Sequence, residues 1–304
     1  ARAALLAAAD AGLDIAGGVV VGSDSAEFDP PLEDVVGDHP IPGARSHRAA
    51  QRVGALTHAL LPADHVLLLV SGGTSSLVAA PADGVDAAAL NTLFRTLLGA
   101  GGAMDIHVMN AIRRRFLRWG GGRLAEALAP ARIHQVLLSD VIGDDPAVIG
   151  SGPAVPDPLF AEDVLGLLPS GALAPLAEHK LIEYLHNVRN GRHAETPKAT
   201  NAVFENADAP VVLGRARLHA GVADAARQLG VTLHLHESPL VGEARERGTE
   251  LAQWLAADAP PGIHCWSGET TVTLGDALGD AHGQGGRCQE FALAAAITLE
   301  ASGK

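Results

Sequence analysis

The sequence predicts an α/β fold arranged as two domains. Three observations carry that reading. Short apolar runs alternate with longer amphipathic stretches along the whole chain, the rhythm of parallel strands joined by crossover helices. The run HVLLLV at 65–70 is apolar almost throughout, as in a parallel strand buried on both faces, and IHQVLL at 133–138 reads as a second buried strand. Each empties into a turn of glycines and short polar residues, the position where open α/β sheets hold ligands.

Taken in order, residues 2–12 read as an amphipathic helix and 17–22 (GGVVVG) as a short strand. A loop with Pro30 and Pro31 follows, then a brief strand running into His39-Pro40-Ile41-Pro42. Residues 44–60 form a helix, with Pro62 just past its end. Beyond the strand at 65–70 come helices at 86–98 and 104–117, a triple glycine at 120–122, and a short helix to Leu128. After the strand at 133–138, residues 156–190 hold two helices broken at 169–171, and the polar stretch 191–200 reads as a linker or exposed loop. The rhythm then restarts with a strand (209–214), a helix (215–229), a strand (231–236), a helix (242–256), two strands (262–268, 270–274) and a helix (289–300). The expected domains are therefore 1–198 and 199–304. A first helix in such folds packs on a strand that precedes it, so a strand ahead of residue 2 is expected and the chain reads as part of a longer protein.

Composition narrows the function classes. Hydrophobic residues at 47% against 19% charged describe a globular chain with a sizeable core. A net charge of −13 argues against nucleic acid as partner, because phosphate backbones need a basic face. No apolar run is long enough for a membrane span. Two cysteines make no disulfide framework, which favours a cytoplasmic setting, and Cys288 reads as a small buried residue. The fourteen histidines show no metal-ligand spacing, and His234 and His236 read as core or rim positions of a strand.

Three stretches carry chemistry. The first, 137–157, places Asp140, Asp144 and Asp145 just after a strand and follows them with Gly150-Ser151-Gly152-Pro153. Such carboxylates suit a divalent cation that itself binds phosphates, though an acidic loop with Asx turns and nothing bound is the bland alternative. The second is Ser71-Gly72-Gly73-Thr74-Ser75-Ser76-Leu77, where successive N–H groups can form an anion nest beside three hydroxyls. It is neither a Walker A loop nor a dinucleotide fingerprint nor a nucleophile elbow. The third joins Glu269 to Gly285-Gly286-Arg287 at a helix start, where N–H groups and the macrodipole favour an anion. Asn110 and Arg113 share one helix face, and Arg113 is expected to turn toward a site. Arg114, Arg115 and Arg118 of the same run read as a solvated face.

In this order HPIP, SGGTSSL, the Asn110-x-x-Arg113 helix with GGRLA, SDVIGDDPAVIGSGPAVPD and SGETTVTLGDALGDAHGQGGRCQEFALA resemble the type II glycerate kinase family, the last opening its MOFRL domain. The resemblance implies two different α/β domains, the first a Rossmann-like three-layer parallel sheet, with the ligand cleft between them. It also implies Mg2+-dependent transfer of the ATP γ-phosphoryl group to D-glycerate, with 2-phosphoglycerate the usual product and a homodimer left open. On that reading Ser71, Gly72, Gly73 and Ser75, with Asn110 and Arg113, hold the substrate. Asp140 and Asp144 hold the metal, and Asp140, Asp145 and Arg287 serve catalysis. Gly150, Ser151, Gly152, Glu269, Gly285 and Gly286 face the nucleotide. Sequences of this kind also carry the name hydroxypyruvate reductase, although no nicotinamide fingerprint occurs here.

The chain departs from the family at Gly120, where a lysine is usual, at Leu117, where a serine is, and at Cys288 within Gly-Gly-Arg-Asn-Gln-Glu. A Gly-Lys-Ala stretch and a Gly-Thr-Asp-Gly segment of the family would lie outside residues 1–304. Loss of two lysines near phosphates removes charge that phosphoryl transfer uses, so a non-catalytic family member stands as the third reading.

Overall fold

The computed structural model describes residues 1–99, 106–168, 180–273 and 285–303. The chain divides into two compact units, Ala1–Gly214 and Arg215–Lys304. No helix among the described residues is long and apolar enough to cross a membrane.

The first unit follows the expected alternation: α1 (Arg2–Asp10), β1 (Gly18–Gly22), β2 (Leu32–Val36), α2 (Ala44–Thr57), β3 (His65–Val70), α3 (Thr74–Leu77), α4 (Ala87–Gly99), α5 (Ile106–Phe116), α6 (Arg123–Leu128), β4 (Arg132–Leu138), α7 (Ala161–Leu167), α8 (Lys180–Arg189) and β5 (Val211–Leu213). Among the described residues the strands pair in parallel, with β1 beside β2 and a separate sheet in the order β3-β4-β5. Register sets up the site. Val70 lies opposite Leu137 and Leu138 opposite Leu213, so the turns after β3, β4 and β5 emerge side by side at one end of the sheet. Residues 199–214 stay with this unit because β5 pairs with β4 and Ala207 bridges Ile133.

The largest core cluster gathers Leu93, Phe94, Leu97, Ile112, Phe116 and Leu185 from α4, α5 and α8. Full burial of such side chains contributes roughly 1.5–3 kcal/mol each. A second cluster packs α6, through Leu124 and Leu128, against Ile133 of β4. The expectation that β3 is buried on both faces fails. Leu67 and Leu69 are 48% and 40% exposed, and on the same face Leu138 and Val211 are 56% and 54% exposed. Apolar content marks a strand, but burial needs a covering layer. That face has none among the described residues.

The second unit contains α9 (Arg215–Leu229), β6 (Leu233–Leu235), β7 (Leu240–Glu243), α10 (Ala244–Ala257), β8 (Ile263–Cys265), β9 (Gly268–Thr271) and α11 (Arg287–Ala301). It holds two parallel pairs, β6-β8 and β7-β9. Strand β7 is a correction, since the sequence reading began a helix at Gly242, whereas Glu243 closes the strand and stands just before α10. Cys288 is exposed rather than buried.

His234 and His236 do more than line a core. Register places His234 opposite His264, and their rings stack at 4.5 Å. His236 stacks on Trp266 at 3.7 Å, and its Nε2 lies 3.1 Å from His264 Nδ1. Burial, followed by the charges of His264 and His234, holds His236 below the ordinary histidine value. The unfolded chain then takes up a proton that the fold refuses. Stability should fall as pH drops through about 6.5 and level off below the folded value. Urea midpoints between pH 8 and pH 5 test this, and His236→Asn should flatten the slope.

Candidate functional site

Strand β3 ends at Val70 and the chain turns sharply. Gly73 takes φ +81°, a left-handed conformation that glycine adopts without cost, and starts the single turn of α3. Thr74 Oγ1 donates to Ser71 O at 2.7 Å, and Ser76 Oγ donates to Gly73 O at 2.9 Å. His39 braces the turn from outside, with Nδ1 2.7 Å from Ser76 Oγ. The HPIP segment and the SGGTSSL turn are thus one structure, and His39 is a residue the sequence reading passed over. No protein acceptor takes the N–H of Gly72 or Gly73 among the described residues. Two outward backbone donors on a rigid turn can hold an anion.

Asp140 follows β4 as Ser71 follows β3, and its carboxylate lies against Gly72, where a Cβ would collide with Oδ2. Any side chain at 72 would displace this carboxylate. Asp140 is exposed and meets no donor among the described residues. Asp144, at φ +53°, sets its carboxylate against Gly214 past the end of β5, likewise without a donor. Asp145 is engaged otherwise: Oδ1 accepts from Ala147 N at 2.9 Å and caps the turn that leads to Ile149–Ser151. The three aspartates thus separate into different settings. Among the described residues no group of three or more His, Cys, Asp or Glu gathers to hold a metal.

Gly150, Ser151 and Gly152 have φ of +59°, +66° and +58°. Ser151 is fully buried, with its hydroxyl 2.7 Å from that of Ser75. Gly121 N and Gly122 N donate to Ser151 O and Gly152 O at 2.9 and 2.8 Å. Ser151 N and Gly152 N donate to Val148 O and Ile149 O, so these residues spend their backbone groups on the protein. They act as a bracket that fixes Ser75. A serine held at positive φ is a strained backbone position of the kind that clusters at functional sites.

The arginine run is a correction. Arg114 and Arg115 are buried, not solvated. Arg115 donates to Asp157 Oδ2 and Leu159 O at 3.0 Å each, and to Thr196 Oγ1 at 2.5 Å, and it pairs with Glu195. Arg114 NH1 stands 3.7 Å from Asp157 Oδ1. Thr196, expected in an exposed linker, is buried at the centre of this network. Arg123 donates to the carbonyls of Arg114, Arg115 and Leu117 at 3.1–3.3 Å and so satisfies the end of α5. Arg113 lies over the Phe94 ring at 5.1 Å, its Nε has no hydrogen-bond partner among the described residues, and burial lowers its pKa. Asn110 is buried beside it on α5.

Gly120 is also explained by approach rather than by a turn. A Cβ there would lie 2.5 Å from Arg114 O and 3.0 Å from its Cα, both backbone atoms. A side chain at this position must push the end of α5 aside. Gly120→Ala should lower unfolding stability by about 1–3 kcal/mol. A thermal melt that leaves the midpoint unchanged would count against this packing.

In the second unit Glu269 of β9 pairs with Arg287, the first residue of α11, as the sequence reading placed them. Gly286 precedes the helix in an extended conformation and Gly285 has φ +142°. The stretch 274–284 between them, with Asp276 and His282, lies outside the described residues.

Residues 1–186 match a family described as Domain of unknown function (DUF4147). The chain is 33% identical over 269 residues to the D-glycerate 2-kinase of Thermotoga maritima, which covers 86% of this chain and 60% of that protein. It is 34% identical over 313 residues to an Agrobacterium vitis protein provisionally named a hydroxypyruvate reductase, covering 99% and 77%. The crystal structure of the Thermotoga maritima glycerate kinase superposes with a TM-score of 0.73 at 32% identity, over 94% of this chain and 66% of that one. The chain therefore spans about two thirds of the length of these relatives.

Proposed function

The chain belongs to the type II glycerate kinase family, and from that premise we propose that its site phosphorylates D-glycerate from ATP, with 2-phosphoglycerate as product. One observation carries the proposal. Two carboxylates without donors among the described residues, Asp140 and Asp144, stand at neighbouring strand ends, and Asp140 lies against a turn whose Gly72 and Gly73 N–H groups meet no acceptor among those residues. An anionic substrate next to unpaired carboxylates is repelled unless a cation lies between them.

The donor set suits Mg2+, which takes one or two carboxylates and completes its shell with water and substrate phosphates. Asp140 and Asp144 would hold it, and when bound it would offset the charge of the phosphates. The protein's own residues do the positioning. Gly72 and Gly73 N–H groups and the hydroxyls of Ser71 and Ser75 grip the glycerate carboxylate or a phosphate, with Ser75 fixed in turn by Ser151. Arg113 and Asn110 bind the substrate carboxylate from α5, where the planar fork of an arginine matches it. Asp140 accepts the proton of the attacking hydroxyl as its oxygen bonds to the γ-phosphorus and the bridging bond to ADP breaks. Asp145, with one oxygen committed to Ala147, keeps the aspartate loop in shape. In the second unit Glu269, Gly285 and Gly286 at the start of α11 suit a nucleotide phosphate. Arg287, paired with Glu269 at the same helix start, supplies a cation for phosphate in that unit. Phosphoryl transfer asks for little beyond such positioning and charge. A cytoplasmic setting, where ATP is supplied, fits this chemistry.

A coupled ADP-release assay with D-glycerate, ATP and Mg2+ tests the reading, and turnover dependent on all three is expected. Binding of glycerate without ADP release would end the kinase reading for this chain. Oxidation of NADH by hydroxypyruvate in the absence of ATP would favour the name carried by the Agrobacterium vitis relatives instead.

A further inference from the structure

The Gly72–Gly73 turn is flanked on two sides. A Cβ added at Gly72 would meet the Asp140 carboxylate, and one added at Gly73 would lie 3.4 Å from Nδ1 and 3.5 Å from Cε1 of His39. Asp140 has a part in the reaction proposed above, whereas His39 so far only braces the turn. Its segment is pinned. Gly37 N donates to Gly22 O at 2.8 Å, and Gly37 packs so closely on the backbone of Leu77 that a Cβ has no room. Asp38 accepts from Arg45 N at 2.9 Å, which satisfies a free donor at the start of α2, and Asp38 N donates to Ser46 Oγ at 2.9 Å. An exposed imidazole is thereby fixed against the glycines whose N–H groups can hold an anion.

The hydrogen bonds assign the proton of this ring. The Ser76 hydroxyl spends its one hydrogen on Gly73 O and therefore accepts from His39 Nδ1, 2.7 Å away. In the neutral ring Nε2 then carries a lone pair, and it meets no partner among the described residues. The geometry points to His39 as the residue that selects the substrate. With the glycerate carboxylate on the Gly72 and Gly73 N–H groups and the reacting hydroxyl toward Asp140, His39 Nε2 accepts from the second hydroxyl, on C3. An imidazole suits this place because it accepts a hydrogen bond without adding another negative charge beside an anionic substrate. A 2-hydroxy acid without the C3 oxygen leaves Nε2 unpaired, which is how a site built to bond a hydroxyl turns away a ligand that lacks one. This assignment rests on the glycerate reading and adds to it the group that separates glycerate from other 2-hydroxy acids.

Two substitutions separate substrate contact from bracing. The amide of asparagine overlaps Nδ1 of a histidine, and the amide of glutamine overlaps Nε2. His39→Asn therefore keeps the bond to Ser76 and loses the reach to substrate, and His39→Gln does the reverse. Steady-state formation of 2-phosphoglycerate gives the KM for D-glycerate and the inhibition constant of D-lactate, which carries a methyl group where D-glycerate has CH2OH. His39→Asn should raise the KM about five- to tenfold, the size of one lost hydrogen bond, while kcat and the D-lactate constant change by less than about twofold. His39→Gln should keep the parent's preference for D-glycerate over D-lactate.

An unchanged KM in His39→Asn overturns the assignment, and so does an equal weakening of D-glycerate and D-lactate. A loss confined to His39→Gln also overturns it, because His39 then only braces Ser76. Calorimetric binding of the two acids to the same three proteins keeps this result apart from the kinase reading. Discrimination that disappears in His39→Asn without any ADP release by the parent would refute the kinase and leave the contact standing. ADP release by the parent with no difference between the variants would refute the contact and leave the kinase.

Discussion

Replacing Asp157 by alanine is expected to unfold the first unit under conditions where the parent chain stays folded. The carboxylate is fully buried, accepts from Arg115 at 3.0 Å, Thr196 at 2.9 Å and Leu159 N at 3.2 Å, and lies 3.7 Å from Arg114 NH1. Removing it leaves two buried guanidinium groups with too little counter-charge. Arg115 keeps Glu195, but among the described residues no other carboxylate lies within ion-pair distance of Arg114, on which Asp145 acts only from farther away. Breaking such a pair costs about 3–5 kcal/mol, against a total stability of roughly 5–15 kcal/mol for a domain. Urea titration should show a correspondingly lower midpoint for Asp157→Ala. Adding Arg114→Met should recover part of the loss, since the stranded charge is what destabilises. A change below about 1 kcal/mol would mean that the network is solvated. The exposed Arg132–Asp208 pair offers a control, because water screens it and its removal should leave the midpoint nearly unchanged.

The same network gives an acid limit. Burial raises Glu195, but Arg115 and the N–H groups of Ala161 and Thr196 outweigh it, so its carboxyl lies below the ordinary value. Its contribution is present above about 4.3, the unfolded value, and is lost as pH falls through the folded one.

How much of this was legible before the structure depends on the range of the interaction involved. Strand β3 and the helix at 215–229 follow from local periodicity, and both were placed to the residue. The two glycine-rich strand ends were legible as turns at the ends of neighbouring strands, and the register of β3 with β4 brings Gly72 and Asp140 together. The buried arginines were not legible. Their partners lie far away in sequence, in Asp157 and in a polar stretch at 195–196 that local pattern assigns to a loop. A run of arginines on an amphipathic helix reads as solvent-facing unless its counter-charges are known. The open face of β3 escaped for the complementary reason. Leu67 and Leu69 carry the composition of a buried strand, and only a covering layer, which no strand encodes, decides whether they are buried. Three aspartates in six residues read alike, but Asp145 spends an oxygen on Ala147 N, which leaves Asp140 and Asp144 as the two without a donor among the described residues.

Asp140→Asn should leave the fold intact and lower the rate of glycerate phosphorylation about 10²–10³-fold. The side chain is exposed and has no protein donor, so stability should change by no more than about 0.5 kcal/mol. An amide has the same shape beside Gly72 but neither accepts a proton nor offers the negative charge a cation needs. The loss should therefore appear in kcat, with a smaller effect on the KM for glycerate, whose carboxylate is held by other groups. Gly72→Ala offers an independent route to the same atom, since its Cβ would drive the Asp140 carboxylate from its place. If both variants slow turnover while Asp144→Asn mainly raises the Mg2+ concentration required, Asp140 acts as the base and Asp144 as the cation ligand. Should Asp140→Asn retain full kcat, the reacting hydroxyl lies elsewhere and the carboxylate beside Gly72 is only a structural neighbour of the turn.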